Sequence, residues 1–248
     1  MLEHLGNGVL LFRGVRIVSN SSTLHQGIMH EQFLLQSSNN LLLLLVIGNI
    51  LYIGYVTVAQ KRLDWTIGYS SVMHMGYIFL GLASLNLIGI TGASILMFAH
   101  GLSVAAAFAL CGEIRRRTGT LDYSELGGLA KVTPVLGLLF GFATMASVGL
   151  PGFANFAGEI NVFFGAVSYG PAMILPVIVA VWGVVISAIY MLRAYRSTFW
   201  GPMSDRWNAL VDITPSARWS VILLIAPLMI VGFYPQLILK MVTTALPR

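Results

Sequence analysis

Glu159, His74 and His100 are ionisable side chains set inside long apolar runs, whereas almost every other charge in the sequence belongs to a loop or a terminus. An ionisable residue at the centre of a membrane-spanning helix costs about 2.5–3.5 kcal/mol on insertion scales, so its presence points to a task. Glu159 lies in PGFANFAGEINVFFG, just beyond Gly149-Leu150-Pro151-Gly152, a run that breaks a helix. A carboxyl among apolar neighbours can exchange its proton with an approaching water or cation, which is what a proton-relay station does. His74 and His100 occupy consecutive apolar segments, and an imidazole can accept a proton on one ring nitrogen and pass one on from the other near neutral pH. Gly101 and Ser103 flank His100 and allow close helix approach and water binding. Ser70 and Ser71 can hydrogen-bond between helices, and Thr144 and Ser147 lie just before the break. The plainer reading of each is a buried polar group satisfied by a neighbouring helix.

These residues need a membrane around them, and the composition supplies one. Of 248 residues, 57% are hydrophobic and 9% charged, against roughly 25% charged in soluble domains. So few charges cannot cover a water-soluble globule, and the same figures exclude intrinsic disorder. The net charge of +5 belongs to loops that orient a membrane protein, and no nucleic-acid partner is expected. Cys111 is the only cysteine and sits in an apolar run as inert packing. There is no P-loop, GxGxxG, zinc spacing, haem-attachment motif or Ser-His-Asp order, so no redox centre, metal or cofactor is expected on this chain.

Residues 1–40 are of mixed polarity, with His4, His25, His30 and the SNSS stretch Ser19–Ser22, and are expected to be weakly structured or peripheral. From residue 41 to 240 the chain reads as an all-α, polytopic membrane bundle of about six transmembrane helices, followed by a short tail at 241–248. The apolar segments are Leu41–Ala59, Thr66–Leu85, Gly92–Gly112, Pro134–Val167, Ala172–Leu192 and Ser220–Leu239. Lys61 with Asp64, and Glu113 with Arg117, read as ion pairs at the membrane surface. The fourth segment is too long for one plain span. If it crosses once, Arg193, Arg196, Arg206 and Arg218 fall on the side of Arg115, Arg116 and Arg117, as the positive-inside rule prefers; the segment is then one discontinuous helix.

Four motifs carry a resemblance to a known family. AQKRLDWTIGYSSVMHMG (Ala59–Gly76), FAHGLSVAAAFALCGEI (Phe98–Ile114), LDYSELGGLAKVTPVL (Leu121–Leu136) and SVGLPGFANFAGEI (Ser147–Ile160) resemble, in order and spacing, the C-terminal half of the proton-translocating antiporter-like subunits. The wording is most similar to the subunit M family of bacterial NADH-quinone oxidoreductase, counterpart of chain 4 of the mitochondrial enzyme. The resemblance runs from about Leu44 to Leu239.

What the resemblance implies is a second five-helix repeat plus the last helix, with Glu159 on the glutamate of the broken helix that serves proton transfer toward the outer side. It places His74 and His100 on the hydrophilic axis of the membrane arm. The first-repeat glutamate and lysines of the family have no counterpart, and Arg62, Asp64 and Trp65 depart from the usual connecting loop. The resemblance therefore implies a partial or split subunit whose missing N-terminal half is a separate partner. It also implies other membrane-arm subunits and the lipid bilayer as partners, with NADH, FMN, iron-sulfur clusters and quinone held by partner subunits. The location implied is the bacterial plasma membrane, or alternatively the mitochondrial inner membrane. A multi-component Na⁺/H⁺ antiporter, a membrane-bound hydrogenase and a non-conducting scaffold are the competing readings.

Overall fold

The structure, a computed structural model, describes residues 4–5, 9–12, 15–18 and 39–245. The chain divides into two units, Met1–Leu42 and Leu43–Arg248. In the first, β1 (His4–Leu5), β2 (Val9–Phe12) and β3 (Val15–Val18) pair antiparallel in that order, with His4 opposite Leu10 and Val9 opposite Val18. The expectation of weak structure did not foresee these strands, although VLLF and VRIV are rich in the residue types that favour a pleated backbone. Ser19–Ser22, His25 and His30 lie outside the described residues.

From Asn39 onward every described element is a helix. These are α1 (Asn39–Val58), α2 (Leu63–Ala83), α3 (Leu87–Thr118), α4 (Pro134–Val148), α5 (Ala154–Tyr169), α6 (Ile174–Phe199), α7 (Pro215–Phe233) and α8 (Gln236–Ala245), joined by loops and short single turns. By length and apolarity, Asn39–Val58, Leu87–Thr118, Pro171–Phe199 and Pro215–Phe233 can each cross a bilayer. At 21 residues α2 is also long enough, but Ser70, Ser71 and His74 dilute its apolar character. Leu44 and Leu45 on α1, and Leu175, Ile178, Trp182 and Ile189 on α6, are large apolar side chains left exposed.

The organising helix is α3, whose 32 residues extend about 48 Å at 1.5 Å per residue. Against it, α4 and α5 run antiparallel in one continuous course. Leu110 and Ile114 share an apolar cluster with Leu136 and Phe140 of α4, and Ala99 shares one with Ala146 and Ala154 at the break. Beyond the break Leu96 meets Gly158 and Gly89 meets Gly165. The two half-helices therefore make a single crossing, in agreement with the sequence expectation of one discontinuous helix.

The basic loops gather at one end of the bundle. Arg193 Nη2 donates to Gln60 O at 2.6 Å, Arg117 Nε to Val211 O at 3.0 Å, and the Gly128 N–H to Trp200 O at 3.1 Å. Arg62 and Asp122 form an isolated bridge between the α1–α2 turn and the α3–α4 loop. In that loop Asp122 accepts from the Ser124 N–H and hydroxyl, which hold its carboxyl below the usual range, and burial pushes the Tyr123 phenol up to about 12.

Several boundaries and one pair differ from expectation: α6 runs on to Phe199 past Leu192, and α7 begins at Pro215 before Ser220. α3 extends beyond Gly92–Gly112 at both ends: Asn86 caps its start by accepting from Gly89 N–H at 2.9 Å, and left-handed Gly119 (φ 74°) closes its end after Thr118. The last segment stops at Phe233 rather than running to Leu239: Pro235 has no N–H to continue the helix and keeps Tyr234 out of the helical region (φ −127°, ψ 65°). α8 then carries the chain through Ala245, and residues 246–248 lie outside the described residues. Asp64 pairs with Arg62, not Lys61; the extended backbone at Arg62 turns its guanidinium back onto the first helical turn, with Nη2 2.7 Å and Nε 3.1 Å from the carboxylate. Glu113 pairs with Arg117, as its spacing suggested, and also with Arg116 at 2.7 Å.

Glycine sets how closely α5 can approach α3. A Cβ at Gly158 would lie 2.8 Å from the Leu96 Cβ and 2.9 Å from its backbone N, whereas one at Gly101 would meet nothing within 4 Å. Gly158→Ala is expected to destabilise the bundle by about 1–3 kcal/mol, the cost of overpacking. Gly101→Ala is the control and should not lower stability; thermal unfolding in mild detergent compares the two.

Candidate functional site

The site is built around the end of α4. Gly149 takes a left-handed conformation (φ 75°, ψ 43°), its N–H bonds to Ala146 O, and the Leu150 N–H bonds to Met145 O at 3.1 Å. This is a Schellman closure, with Pro151 following to prevent helix continuation. It satisfies the carbonyls of Met145 and Ala146 and leaves that of Ser147 open. His74 of α2 takes it, with Nε2 3.1 Å from Ser147 O, while Nδ1 lies 2.8 Å from Ser70 O. Both ring nitrogens thus face carbonyl acceptors, and a neutral imidazole can donate to only one of them at a time.

His100 of α3 stacks on His74, with ring centroids 5.0 Å apart and planes 18° from parallel. Its Nε2 pairs with Ser71 Oγ at 3.0 Å, and its Nδ1 is buried with no hydrogen-bond partner among the described residues. His74 is 1% exposed and His100 4%. Ser70 Oγ accepts from Tyr190 of α6 at 3.1 Å, and Tyr77 sets its ring edge-on against His74.

Glu159 is 3% exposed on α5. Side chains in a helix lean toward its N-terminus, and that lean brings the Glu159 carboxyl back to the break, where a Cβ on Gly149 would overlap Oε2. One turn earlier on the same face, Asn155 Nδ2 donates to Ser103 Oγ at 3.3 Å, and Ser103 donates to His100 O at 3.1 Å. Among the described residues Tyr77 Oη, Thr144 Oγ1 and Asn155 Oδ1 are buried without hydrogen-bond partners. An unpaired buried polar group costs about 1–3 kcal/mol, so these atoms mark where the interior retains bonding capacity.

The structure therefore brings His74, His100, Ser70, Ser71 and Ser103 into contact, and brings Glu159 to Gly149 at the same break. Ser147 contributes its carbonyl rather than its hydroxyl. Leu150 accepts from the Phe153 N–H, and Gly232 lets α7 dock on Gly152, since a Cβ on Gly232 would overlap Gly152 O. Asn155 and Tyr190 were not among the expected site residues. Their signals were present: Asn155 stands four residues before Glu159, and Tyr190 three after Ser187. Among the described residues no three His, Cys, Asp or Glu side chains group to hold a metal.

The family described as NADH:quinone oxidoreductase/Mrp antiporter, TM, matches residues 17–187. The chain belongs to that family. The match begins upstream of Leu44, where the motif resemblance starts. Among its relatives are NAD(P)H-quinone oxidoreductase chain 4 of Acaryochloris marina, 36% identical over 204 residues, and a chain 4 of Synechococcus elongatus, 36% identical over 212 residues. These alignments cover 79% and 83% of this chain but only 38% and 40% of the relatives, so the chain spans about two-fifths of their length. A chain in respiratory complex I from Thermus thermophilus with bound NADH superposes with TM-score 0.74 at 32% identity, covering 81% of this chain and 42% of that one. One in the Mrp complex from Dietzia sp. DQ12-45-1b superposes with TM-score 0.75 at 21% identity, covering 83% and 46%, and shares the fold. This antiporter-family chain is thus a multi-pass membrane protein.

Gly149 separates two effects of an added methyl. Gly119 has the same left-handed backbone (φ 74°) with open space beside it, so Gly119→Ala should cost only the backbone strain, about 1–3 kcal/mol. Gly149→Ala is expected to cost more and to shift the Glu159 carboxyl band in the infrared spectrum, because its Cβ displaces that carboxyl.

Proposed function

We infer that this chain is a membrane-arm subunit, or the second-repeat part of one, of a respiratory NADH-quinone oxidoreductase, and that it moves protons through Glu159, His100 and His74. The observation that carries the reading is the placement of His74 between the carbonyls of Ser70 and Ser147, stacked on His100 beside the helix break. A ring in that position can hold a proton toward either α2 or α4, and the change of side is one relay step. Glu159, on the far half of the broken helix, supplies a group that gains and loses charge next to the same break. Tyr77, Thr144, Asn155 and His100 Nδ1 offer bonding capacity that water molecules between these stations would use.

In this reading electrons move in partner subunits, which hold the flavin, iron-sulfur clusters, NADH and quinone, and the present chain answers by changing which of its groups carry protons. The other membrane-arm subunits and a separate first repeat are its partners. The end bearing Lys61, Arg62, Arg115, Arg116, Arg117 and Arg193 lies on the cytoplasmic side of a bacterial plasma membrane. Supporting the reading are the 36% identity to chain 4 proteins and the 32% identity to a complex I chain.

A second reading, a subunit of a multi-component Na⁺/H⁺ antiporter, is favoured by the family description and by the fold shared with an Mrp complex chain. Partners that co-purify separate the two: flavin and iron-sulfur proteins for the first, small membrane proteins alone for the second. In the assembled complex, Glu159→Gln is expected to remove the proton yield that depends on this chain while the complex still assembles. Unchanged protons per electron, measured in vesicles with a pH-sensitive dye, would overturn the relay role and leave a non-conducting scaffold as the reading.

A further inference from the structure

The start of α4 is held in an unusual way. Thr133 is the N-cap residue, and threonine ordinarily caps by accepting from the next turn's N–H groups. Here its hydroxyl donates to Leu129 O at 2.8 Å and gives no cap. Pro134 removes one of the free donors of the first turn, leaving the N–H groups of Val135 and Leu136. Asp212, from the loop between α6 and α7, accepts both: Oδ2 from Val135 at 2.8 Å and Oδ1 from Leu136 at 3.1 Å, with Oδ1 also 2.7 Å from the Ile213 N–H.

The same loop is tied to α3. Arg117 Nε donates to Val211 O at 3.0 Å and Nη2 to Asp212 O at 3.2 Å, while Nη1 bonds to Glu113. Arg117 and Glu113 are both mostly buried, with side chains 11% and 15% exposed. One residue, Asp212, therefore joins the last turn of α3 to the first turn of α4 by its main chain and its carboxylate. These are the helices that carry His100 and the Ser147 carbonyl to the site.

We propose that Asp212 is a positioning residue: it fixes the axial placement of half-helix α4 against α3, and so sets the meeting of Ser147 O with His74 at the other end of α4. A rigid α-helix passes an axial shift from its first turn to its last, because its hydrogen-bonded turns do not compress independently. The broken helix makes this control necessary. An unbroken span would continue past Gly149 as one rigid rod, whereas α4 stops there, and hydrogen bonds tie it to other elements at its first turn, to Asp212, and at Ser147, from His74. The functional part of this inference rests on the proton-relay reading above; the geometric part does not.

Two readouts in the assembled complex test it. The first is the infrared band of the His74 ring, which reports the Ser147 contact whether or not protons are pumped; Asp212→Ala is expected to shift it. The second is the part of the proton yield that Glu159→Gln abolishes, measured per assembled complex; Asp212→Ala should lower it about threefold, the size of coupling changes made by residues remote from a site. Asp212→Asn keeps one acceptor oxygen and should fall between. If Asp212→Ala does not assemble, Arg117→Lys decides, since it keeps the charge but loses the forked bonds to the loop, and should shift the band in the same direction. An unchanged His74 band in the variant that assembles overturns the proposal. A shifted band with an unchanged Glu159-dependent yield overturns its functional part alone, whereas no Glu159-dependent yield in the parent overturns the proton-relay reading and leaves the geometric part to the band.

Discussion

A helix that ends inside a bilayer leaves carbonyls and N–H groups with no water to bond, and most of this structure follows from how that problem is solved at Gly149. The Schellman closure satisfies two of the last carbonyls of α4 locally. The Ser147 carbonyl needs a donor from elsewhere, and His74 provides it. That one bond draws a titratable ring onto the break, and His100 stacks on it. The left-handed turn at Gly149 also leaves room for the Glu159 carboxyl. Backbone geometry and ionisable chemistry are thus arranged by the same interruption.

The rest of the bundle keeps the interruption closed. Gly158 and Gly165 bring α5 against the backbone of α3, and Gly232 brings α7 against Gly152 at the break. Such contacts rely on dispersion and close backbone approach, since lipid gives no hydrophobic reward for helix association. Asn49 on α1 reinforces α2 just before His74 by donating to Val72 O at 2.9 Å and Met73 O at 3.2 Å, next to a π-helical stretch at Asn49–Ile53. At the basic end, Asp212 and Arg117 do for the start of α4 what His74 does for its end.

Much of this was legible in the residues. The scarcity of charge places the chain in a membrane, and sorting the few exceptions by position picks out Glu159, His74 and His100. The loop arginines select a single crossing for the long fourth segment, and the structure agrees. The helix ends were less legible: Asn86 extends α3, and Pro235 cuts the last helix short. Asn155 and Tyr190 carried only spacing signals, too weak to single them out, because a lone amide or phenol in an apolar helix looks the same in sequence whether it faces lipid, a neighbour or a buried hydroxyl.

By itself the sequence determined the solvent, the break and the ionisable residues, because each is a matter of local composition: apolar length, glycine and proline, and charge out of place. Only the tertiary structure decided that His74 has a carbonyl at each ring nitrogen, that Ser147 acts through its backbone, and that Asp212 caps a helix 77 residues away in the chain. Those are relations between segments far apart in sequence, and they exist only once α2, α3 and α4 are packed at one height. A residue's type fixes what it can bond; which group it meets is fixed by the packing that brings distant helices together.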